Sequence, residues 1–380
     1  MTLVLSSDTQ MVRETAIDFF PTRSPVMALR KLRDSADADG FSRKLWQEMA
    51  ELGWSGFLVS EEYGGTGFGM TGLAQVLEAS GRTLTASPLI ATALVGASLL
   101  ELAGSPGQKS DLLPGLVAGE TLFALALEEG PHHAPRRIAT VATGTSNGGY
   151  VLNGQKMFVL DGHVADTLVV VARTAGGRND RTGITLFLVA ADAPGITRKR
   201  NIMLDSRNAA SIEFSNVAVD ADAVLGPVDG GSDVLEAVLD RACAGLAAEM
   251  LGSASEAFDR TLQYLKDRRQ FGVAIGSFQA LKHRAAQMFC EIEATRSAVL
   301  AACSAIDGHA NDTASLASLA KSKASDTLRL CGDEGIQMHG GIGMTDEHEI
   351  GFFLKRARVA EATFGNAAFH RDRYASLMGY

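Results

Sequence analysis

Aromatic and basic residues are scarce in this chain. Phe, Trp and Tyr make up 6% of its 380 residues, although 46% are hydrophobic. Lys and Arg number 35 against 44 Asp and Glu, so the net charge is −9. Nucleic acids and anionic membranes select for clustered Lys and Arg. The composition therefore argues against both as partners, while the hydrophobic content suffices for the cores of two or three subdomains.

The chain also lacks the long apolar run, about 18 residues, that a membrane-spanning helix needs. Its N-terminus has no basic region followed by a signal-peptide core, so we expect a cytoplasmic protein. Cysteine is rare and forms no Cys-x-x-Cys pair. We expect the four cysteines to be buried free thiols rather than metal ligands: Cys243, Cys290, Cys303 and Cys331.

The apolar periodicity changes twice along the chain and predicts an α+β fold. Residues 1–118 mostly repeat every three and four positions, which predicts a helical domain. Residues 119–228 contain short apolar or alternating runs separated by Gly, Asn and Asp turns, which predicts a β domain. Residues 229–380 return to helical patterns, and we expect helices near 233–267, 276–306, 313–338 and 347–377.

A set of short motifs occurs in a particular order. It comprises Glu61-Glu62-Tyr63-Gly64-Gly65-Thr66-Gly67, Asn153-Gly154-Gln155-Lys156, Asp267-Arg268-Arg269-Gln270-Phe271-Gly272, Gly276-Ser277-Phe278-Gln279 and Gln337-Met338-His339-Gly340-Gly341. In this order and spacing the set resembles the acyl-CoA dehydrogenase family, flavoproteins that desaturate acyl thioesters between the α and β carbons. The resemblance covers nearly the whole chain. It implies a helical N-terminal domain, a middle antiparallel β domain and a C-terminal four-helix bundle.

The resemblance implies that one group of residues reaches the FAD of a neighbouring subunit. In this interpretation Arg268 pairs with the pyrophosphate, and the backbone at two glycines approaches the phosphates where a side chain would clash. The alternative is that Arg268 is a solvated charge at a helix end and the glycines cap a helix. The implied group is Arg268, Phe271, Gln279, Gln337, Gly340 and Gly341.

The segments that would hold this subunit's own flavin depart from the family pattern. The family's Thr-Glu-x-Gly-x-Gly-Ser-Asp is replaced by a segment running from Glu128 to Pro135, which lacks Gly-Ser-Asp. Glu128 is assigned to the cofactor. Its two histidines, His132 and His133, are expected to be solvent-exposed. Trp-Ile-Thr is replaced by Phe158, Val159 and Leu160, whose backbone remains available to the flavin, and Asn366 is assigned to the cofactor as well.

Both positions at which family members carry the catalytic base lack a carboxylate. Alignment on the C-terminal glycine places Phe364 at the usual position, and Ala242 occupies the second one. Glu249 is the candidate base that remains, because burial in an apolar helical run would raise its pKa. The alternative is a structural Glu paired with an Arg, and Asp240 and Glu361 are weaker candidates.

Three functions remain open from the sequence. The first is FAD-dependent dehydrogenation of an acyl-CoA, with an electron-transfer flavoprotein or similar acceptor. The second is a non-catalytic or half-site subunit of a heteromeric dehydrogenase, because the segments resemble the small-subunit branch of pimeloyl-CoA dehydrogenases. The third is a flavin monooxygenase or a CoA-ester-binding scaffold of the same fold. A homotetramer and an α2β2 heterotetramer are both compatible with the sequence.

Overall fold

The computed structural model describes residues 4–380 and divides into two compact units. The helical unit comprises Met1–Asp34, Met70–Thr85 and Cys243–Tyr380, and the sheet unit comprises Ser35–Gly69 and Ala86–Ala242. Within residues 4–380 no helix has the length and apolar character needed to cross a membrane.

The first part of the chain is helical, as its periodicity predicts. The start of the last helix before the sheet, Pro106–Val117, is fixed by local interactions. Ser105 and Gln108 form a reciprocal capping box, and Pro106 occupies the first turn. A π-helical stretch, Leu89–Gly96, leads into the fifth α-helix. The α-helices are α1 (Ser7–Arg23), α2 (Val26–Asp34), α3 (Arg43–Glu51), α4 (Gly69–Arg82), α5 (Ala97–Ala103) and α6 (Pro106–Val117).

The middle of the chain forms an eight-stranded sheet. The strands are β1 (Phe123–Ala126), β2 (Val141–Gly144), β3 (Tyr150–Leu160), β4 (Thr167–Arg173), β5 (Ile184–Ala190), β6 (Ile196–Ile202), β7 (Asn208–Val219) and β8 (Val224–Leu225). Seven of them lie in the order β6-β7-β3-β2-β4-β5-β8, and β1 pairs with β4. Most pairs are antiparallel, but β1–β4 and β2–β4 are parallel. The sheet is therefore mixed rather than wholly antiparallel, because β1 and β2 run in the same direction as β4.

A β-bulge on β3 lies at residues that the sequence assigns to the cofactor. The pairing of β3 with β7 shifts register between Lys156 and Val159. The bulge contains Phe158, whose φ is +52°, and its ring is 38% exposed. A bulge bends the strand and redirects a side chain. It therefore breaks the regular alternation of β3 at the residues that the family resemblance assigns to the flavin.

The C-terminal region contains five helices and a short hairpin. These are α7 (Gly231–Asp267), β9 (Arg269–Gln270), β10 (Val273–Ala274), α8 (Gln279–Asp307), α9 (Thr313–His339), α10 (Ile350–Ala362) and α11 (Ala367–Leu377). The first three predicted helices are confirmed. The single helix expected near 347–377 is wrong, because positive φ values at Phe364 (+57°) and Gly365 (+102°) interrupt it.

Close helix packing places α4 against α7 within the helical unit. A Cβ on Gly81 would lie 2.0 Å from the carbonyl oxygen of Glu249. Small residues at such a crossing let the two backbones approach.

Three of the four cysteines are buried, as predicted: Cys243, Cys303 and Cys331. Cys290 is exposed, so the prediction of burial is wrong there, because its position lies on the outer face of α8.

Candidate functional site

The hairpin that follows α7 presents the predicted Arg-x-x-Phe residues to solvent. Arg268 directly follows the last residue of α7 and forms no ion pair within residues 4–380. Phe271 lies in the turn of the β9–β10 hairpin, where its φ is +53° and its ring is 91% exposed. Its closest aromatic neighbour is Phe278, with ring centroids 6.1 Å apart in an edge-to-face arrangement. An exposed aromatic pair beside an unpaired guanidinium is typical of a binding surface.

The Gln-x-x-Gly-Gly segment lies at the end of α9. Gln337 is exposed, and Gly340 is the C-cap residue with φ +65° and ψ −139°. This confirms the capping interpretation for Gly340, whose conformation disfavours a side chain. Gly341 is different, because its φ is not positive and a Cβ there would meet no atom within 4 Å. Neither the backbone nor the packing of the described chain therefore requires glycine at position 341.

Gln279 occupies the start of α8. It is the first residue of the helix, its side chain is exposed, and it directly follows Phe278. The structure thus brings the Arg-x-x-Phe hairpin and Gln279 together through the ring contact of Phe271 with Phe278.

In the sheet unit the two altered flavin segments meet. The amide of Met157, next to the bulge on β3, donates a hydrogen bond of 2.7 Å to the carbonyl oxygen of Glu128. Val159 is buried in the core of the sheet with 2% exposure, and its backbone pairs with Ala210. Leu160 is half-buried and pairs with Ala209. The segments that the sequence assigns to one cradle are therefore neighbours in the fold.

A carboxylate and a histidine form a pair at this point. His133 Nδ1 lies 2.5 Å from Glu128 Oε1, and the amide of Ala134 donates to Oε2 of the same carboxylate at 3.3 Å. The His133 side chain is 5% exposed, so the prediction of a solvent-exposed histidine is wrong for it and holds only for His132. Sequence alone missed the pair, since partners five residues apart in a Pro-containing loop carry no periodic signal.

Beside it lies a buried ion pair that sequence analysis also missed. Lys156 Nζ, which is fully buried, donates to Glu129 Oε1 at 2.8 Å and to the carbonyl oxygen of Leu127 at 3.1 Å. Burial lowers the pKa of Lys156 to about 8, although Glu129 opposes the shift. Burial raises the pKa of the Glu129 carboxyl, but Lys156 and the Thr140 donors outweigh it and leave the pKa below its ordinary value.

The turn that carries Phe364 is held by buried side chains from two other helices. Lys321 Nζ on α9 donates to the carbonyl oxygens of Gly365 at 2.8 Å and Glu361 at 3.2 Å. His370 Nε2 on α11 lies 2.9 Å from the carbonyl oxygen of Phe364. These two residues were not identified from the sequence, because both lie within helical stretches with no distinguishing pattern.

Asn366 has a local role at the same turn. Its side chain accepts a 2.9 Å hydrogen bond from the amide of Phe369 and so caps the start of α11. Asn at an N-cap satisfies one of the amides that a helix leaves unpaired. The cap accounts for one side-chain oxygen, and the exposed amide group of Asn366 stays a predicted cofactor contact.

Glu249, the candidate base, is 4% exposed and lies next to a buried arginine. Arg356 Nη1 on α10 donates to Glu249 Oε1 at 2.9 Å, and Arg356 itself is 2% exposed. The alternative interpretation, a structural Glu249 paired with an Arg, has this partner in Arg356. This buried ion pair is the contact expected of a structural Glu249. Of the weaker candidates, Asp240 is buried, and Glu361 lies near Arg358 at 3.9 Å.

The residues of the hairpin and the end of α9 fit a flavin dinucleotide. Arg268 has no counter-ion within the described chain, and a guanidinium is the side chain best suited to a pyrophosphate. Position 341 leaves open space where a phosphate can approach the backbone. An aromatic ring at Phe271 can cover an apolar part of the cofactor.

Comparison with known proteins identifies the family. Residues 6–120, 128–217 and 229–378 match the N-terminal, middle and C-terminal domains of acyl-CoA dehydrogenases. The chain is 32% identical over 378 residues to the probable acyl-CoA dehydrogenase YngJ of Bacillus subtilis, and the match covers 98% of each chain.

Two solved structures extend the comparison. Butyryl-CoA dehydrogenase from Megasphaera elsdenii has a TM-score of 0.91 at 27% identity, and the match covers 100% of both chains. A chain of the ChsE4-ChsE5 complex from Mycobacterium tuberculosis has a TM-score of 0.90 at 25% identity, again over 100% of both chains. The three domain matches and these full-length similarities agree with the predicted α+β architecture: the chain belongs to the acyl-CoA dehydrogenase family.

Proposed function

We propose that this chain is a flavin-dependent acyl-CoA dehydrogenase that binds FAD. The observation that supports it most is the full-length family match combined with an exposed, unpaired Arg268 and an open Gly341, which the described chain itself does not use. The full-length relatives favour this activity over a monooxygenase or a scaffold of the same fold.

The reaction removes a proton from the α carbon of the thioester and a hydride from its β carbon, and a bound flavin supplies the hydride acceptor. The proposed work of this chain is binding and orientation. Arg268 and Gln337 would bind the phosphates of the cofactor, Phe271 and Gln279 would cover it, and the backbone at Gly340 and Gly341 would approach it. In the sheet unit, the segment Phe158–Leu160 with Glu128 would contribute to the subunit's own cofactor. In the helical unit, Asn366 stays a predicted cofactor contact.

The dehydrogenation also requires a group that accepts the α proton. Glu249 stays the candidate within this chain, but its ion pair with Arg356 favours a structural role. In the heteromer that stays the alternative, a carboxylate on another subunit would accept the α proton.

The proposal extends to the oligomeric state and the electron acceptor. An exposed Phe271 and unpaired Arg268 suit an interface, so we propose a homotetramer or an α2β2 heterotetramer. The similarity to a chain of the ChsE4-ChsE5 complex supports a heteromer. An electron-transfer flavoprotein is the proposed acceptor. The cytoplasmic location and the domain boundaries near residues 118 and 228 stay predictions.

Anaerobic spectroscopy tests the proposed function directly. Purified protein should carry a flavin with its oxidised absorbance, and adding members of an acyl-CoA panel should bleach it. Bleaching by the chain alone supports a homo-oligomer with its own base. Bleaching only after a second gene product is added supports the heteromer. A flavin-loaded protein that no acyl-CoA bleaches in either preparation would contradict the proposed function.

A further inference from the structure

We propose that Lys321 and His370 are positioning residues that hold the backbone of the Phe364 turn and thereby fix where the side chain of residue 364 stands in the acyl-CoA pocket. The proposal deepens the proposed function and rests on it, because the family resemblance is what places residue 364 beside the reacting carbon. The argument about the turn itself rests on contacts within the helical unit.

The turn needs external support because its backbone is strained. Phe364 has φ +57°, a conformation that L residues with a Cβ adopt at an energetic cost. Gly365, with φ +102°, tolerates its own conformation, but it supplies no side chain to hold the turn. Strain of this kind persists only where the surroundings over-determine the conformation.

Lys321 holds one side of the turn. It is fully buried, and it donates to Gly365 O at 2.8 Å, to Glu361 O at 3.2 Å and to Ser325 Oγ at 3.4 Å. It forms no ion pair among residues 4–380. Desolvation lowers the pKa of Lys321 to about 8, while the Cys243 thiol and the Glu361 carboxylate act in the opposite direction.

A buried ammonium that is paired only with carbonyl and hydroxyl oxygens costs free energy that an apolar side chain would not. All but one of its hydrogen bonds go to the last turn of α10 and to the Phe364 turn. The role of Lys321 in this structure is therefore to satisfy those two carbonyls and keep them in place.

His370 holds the other side. Its Nε2 lies 2.9 Å from Phe364 O, and because a carbonyl oxygen only accepts, Nε2 carries the hydrogen. Cys243 Sγ lies 3.7 Å from both Phe364 O and His370 Nε2. The consecutive carbonyls of Phe364 and Gly365 are thus each bound to a donor on a different helix.

This arrangement fixes the backbone without involving the Phe364 ring. The ring is half-buried and none of the clamp contacts uses it. A different side chain at position 364 would therefore start from the same Cα position and direction. Position 364 is pre-organised, and a misplacement of a reacting group by about 1 Å can cost about 10²-fold in rate.

The test uses paired variants of His370 in the intact protein. His370→Gln keeps an amide donor that can reach Phe364 O, and His370→Leu removes it at similar size. Hydrogen exchange of the amides at 363–367 should be about 10-fold faster in His370→Leu than in His370→Gln, because loss of the donor permits local opening. The exchange of the β9–β10 amides, which neither Lys321 nor His370 contacts, should stay the same in both.

A kinetic arm separates positioning from support of the fold. In a Phe364→Glu background, flavin reduction by an acyl-CoA should be about 10–100-fold slower with His370→Leu than with His370→Gln. Lys321→Met should act like His370→Leu if it folds, and the His370 pair keeps the test valid if it does not. Equal exchange and equal rates in the His370 pair would overturn the proposal. Different exchange with no reduction by any acyl-CoA would support the clamp and reject the proposed function.

Discussion

The β9–β10 hairpin with the end of α9 and the Phe364 turn, both in the helical unit, use their polar groups in opposite ways. In the first region Arg268 is exposed without an ion pair among the described residues, and Phe271 is 91% exposed. In the second, the carbonyls of Phe364 and Gly365 are bound by His370 and Lys321. The family resemblance assigns cofactor contacts to the first region, and in the second it places Phe364 at the usual position of the base.

The two regions therefore differ in what stabilises them. Exposed, unpaired groups gain little from their own chain, so their retention is explained by a ligand or a partner. The Phe364 turn is stabilised inside the chain by contacts to its backbone, so its conformation should tolerate different side chains at position 364. Substitutions in either region test this difference.

Phe364→Glu places a carboxylate on the turn at the position where most family members carry their base. Since the clamp does not use the Phe364 ring, the backbone should keep its place. We expect flavin reduction by a suitable acyl-CoA to become about 10²–10⁴-fold faster, the usual contribution of a general base. Anaerobic stopped-flow absorbance measures it, with Phe364→Gln as the uncharged control. Equal rates for Glu and Gln would show that residue 364 does not face the α carbon.

Glu249→Gln should destabilise the protein by about 3–5 kcal/mol, because it removes the charged carboxylate from a buried ion pair with Arg356. The double variant Glu249→Gln with Arg356→Met removes both charges and should recover most of that loss in chemical denaturation. Flavin reduction by the double variant then decides the role of Glu249. Retained reduction makes Glu249 structural, whereas loss of reduction in the stable double variant would make it the base.

Arg268→Ala should weaken flavin binding by about 1.5–3 kcal/mol, the range for a hydrogen bond to a charged group. The fold should be unaffected, since the described chain gives Arg268 no ion pair. Arg269→Ala is the matched control, because it removes an adjacent exposed arginine that has no predicted cofactor role. Titration of the apoprotein with FAD measures both, and equal affinities would refute the assignment of Arg268.

The buried amine of Lys321 should make stability depend on pH. Its folded-state pKa of about 8 lies below the ordinary value of 10.5, so between these values the unfolded chain binds more protons and stability rises with pH. From pH 8 to pH 9 the parent should gain about 1 kcal/mol relative to Lys321→Met. Lys156, with a similar pKa, is present in both proteins and cancels. A pH-independent difference in denaturation would mean that Lys321 titrates normally.

Gly341→Ala should change stability by less than about 0.5 kcal/mol, since a Cβ there meets no atom within 4 Å. It should nevertheless weaken flavin binding, because the methyl group occupies space that the cofactor would use. Gly340→Ala is the comparison for stability, because its φ of +65° makes alanine strained and should lower the stability of the protein as well. Thermal denaturation and FAD titration separate the two effects.

Much of the fold was readable from the periodicity of apolar residues. The predicted helices near 233–267, 276–306 and 313–338 correspond to α7, α8 and α9, because burial of one face requires the 3.6-residue repeat along the chain. The runs that begin at Thr167 and Ile184 form β4 and β5 for the analogous reason. The break at Phe364 was not readable, because the periodic pattern continues through it.

For the site, the sequence singles out residues by type and spacing, namely Arg268, Phe271, Gln337, Gly340 and Gly341. Which side chains contact one another follows from the tertiary structure. Glu249 and Arg356 are 107 residues apart, and Lys321 reaches a carbonyl 44 residues away. A local pattern records which face of a helix is buried, but the partner of a buried charge is set by how distant helices pack, and no repeat in the sequence encodes that.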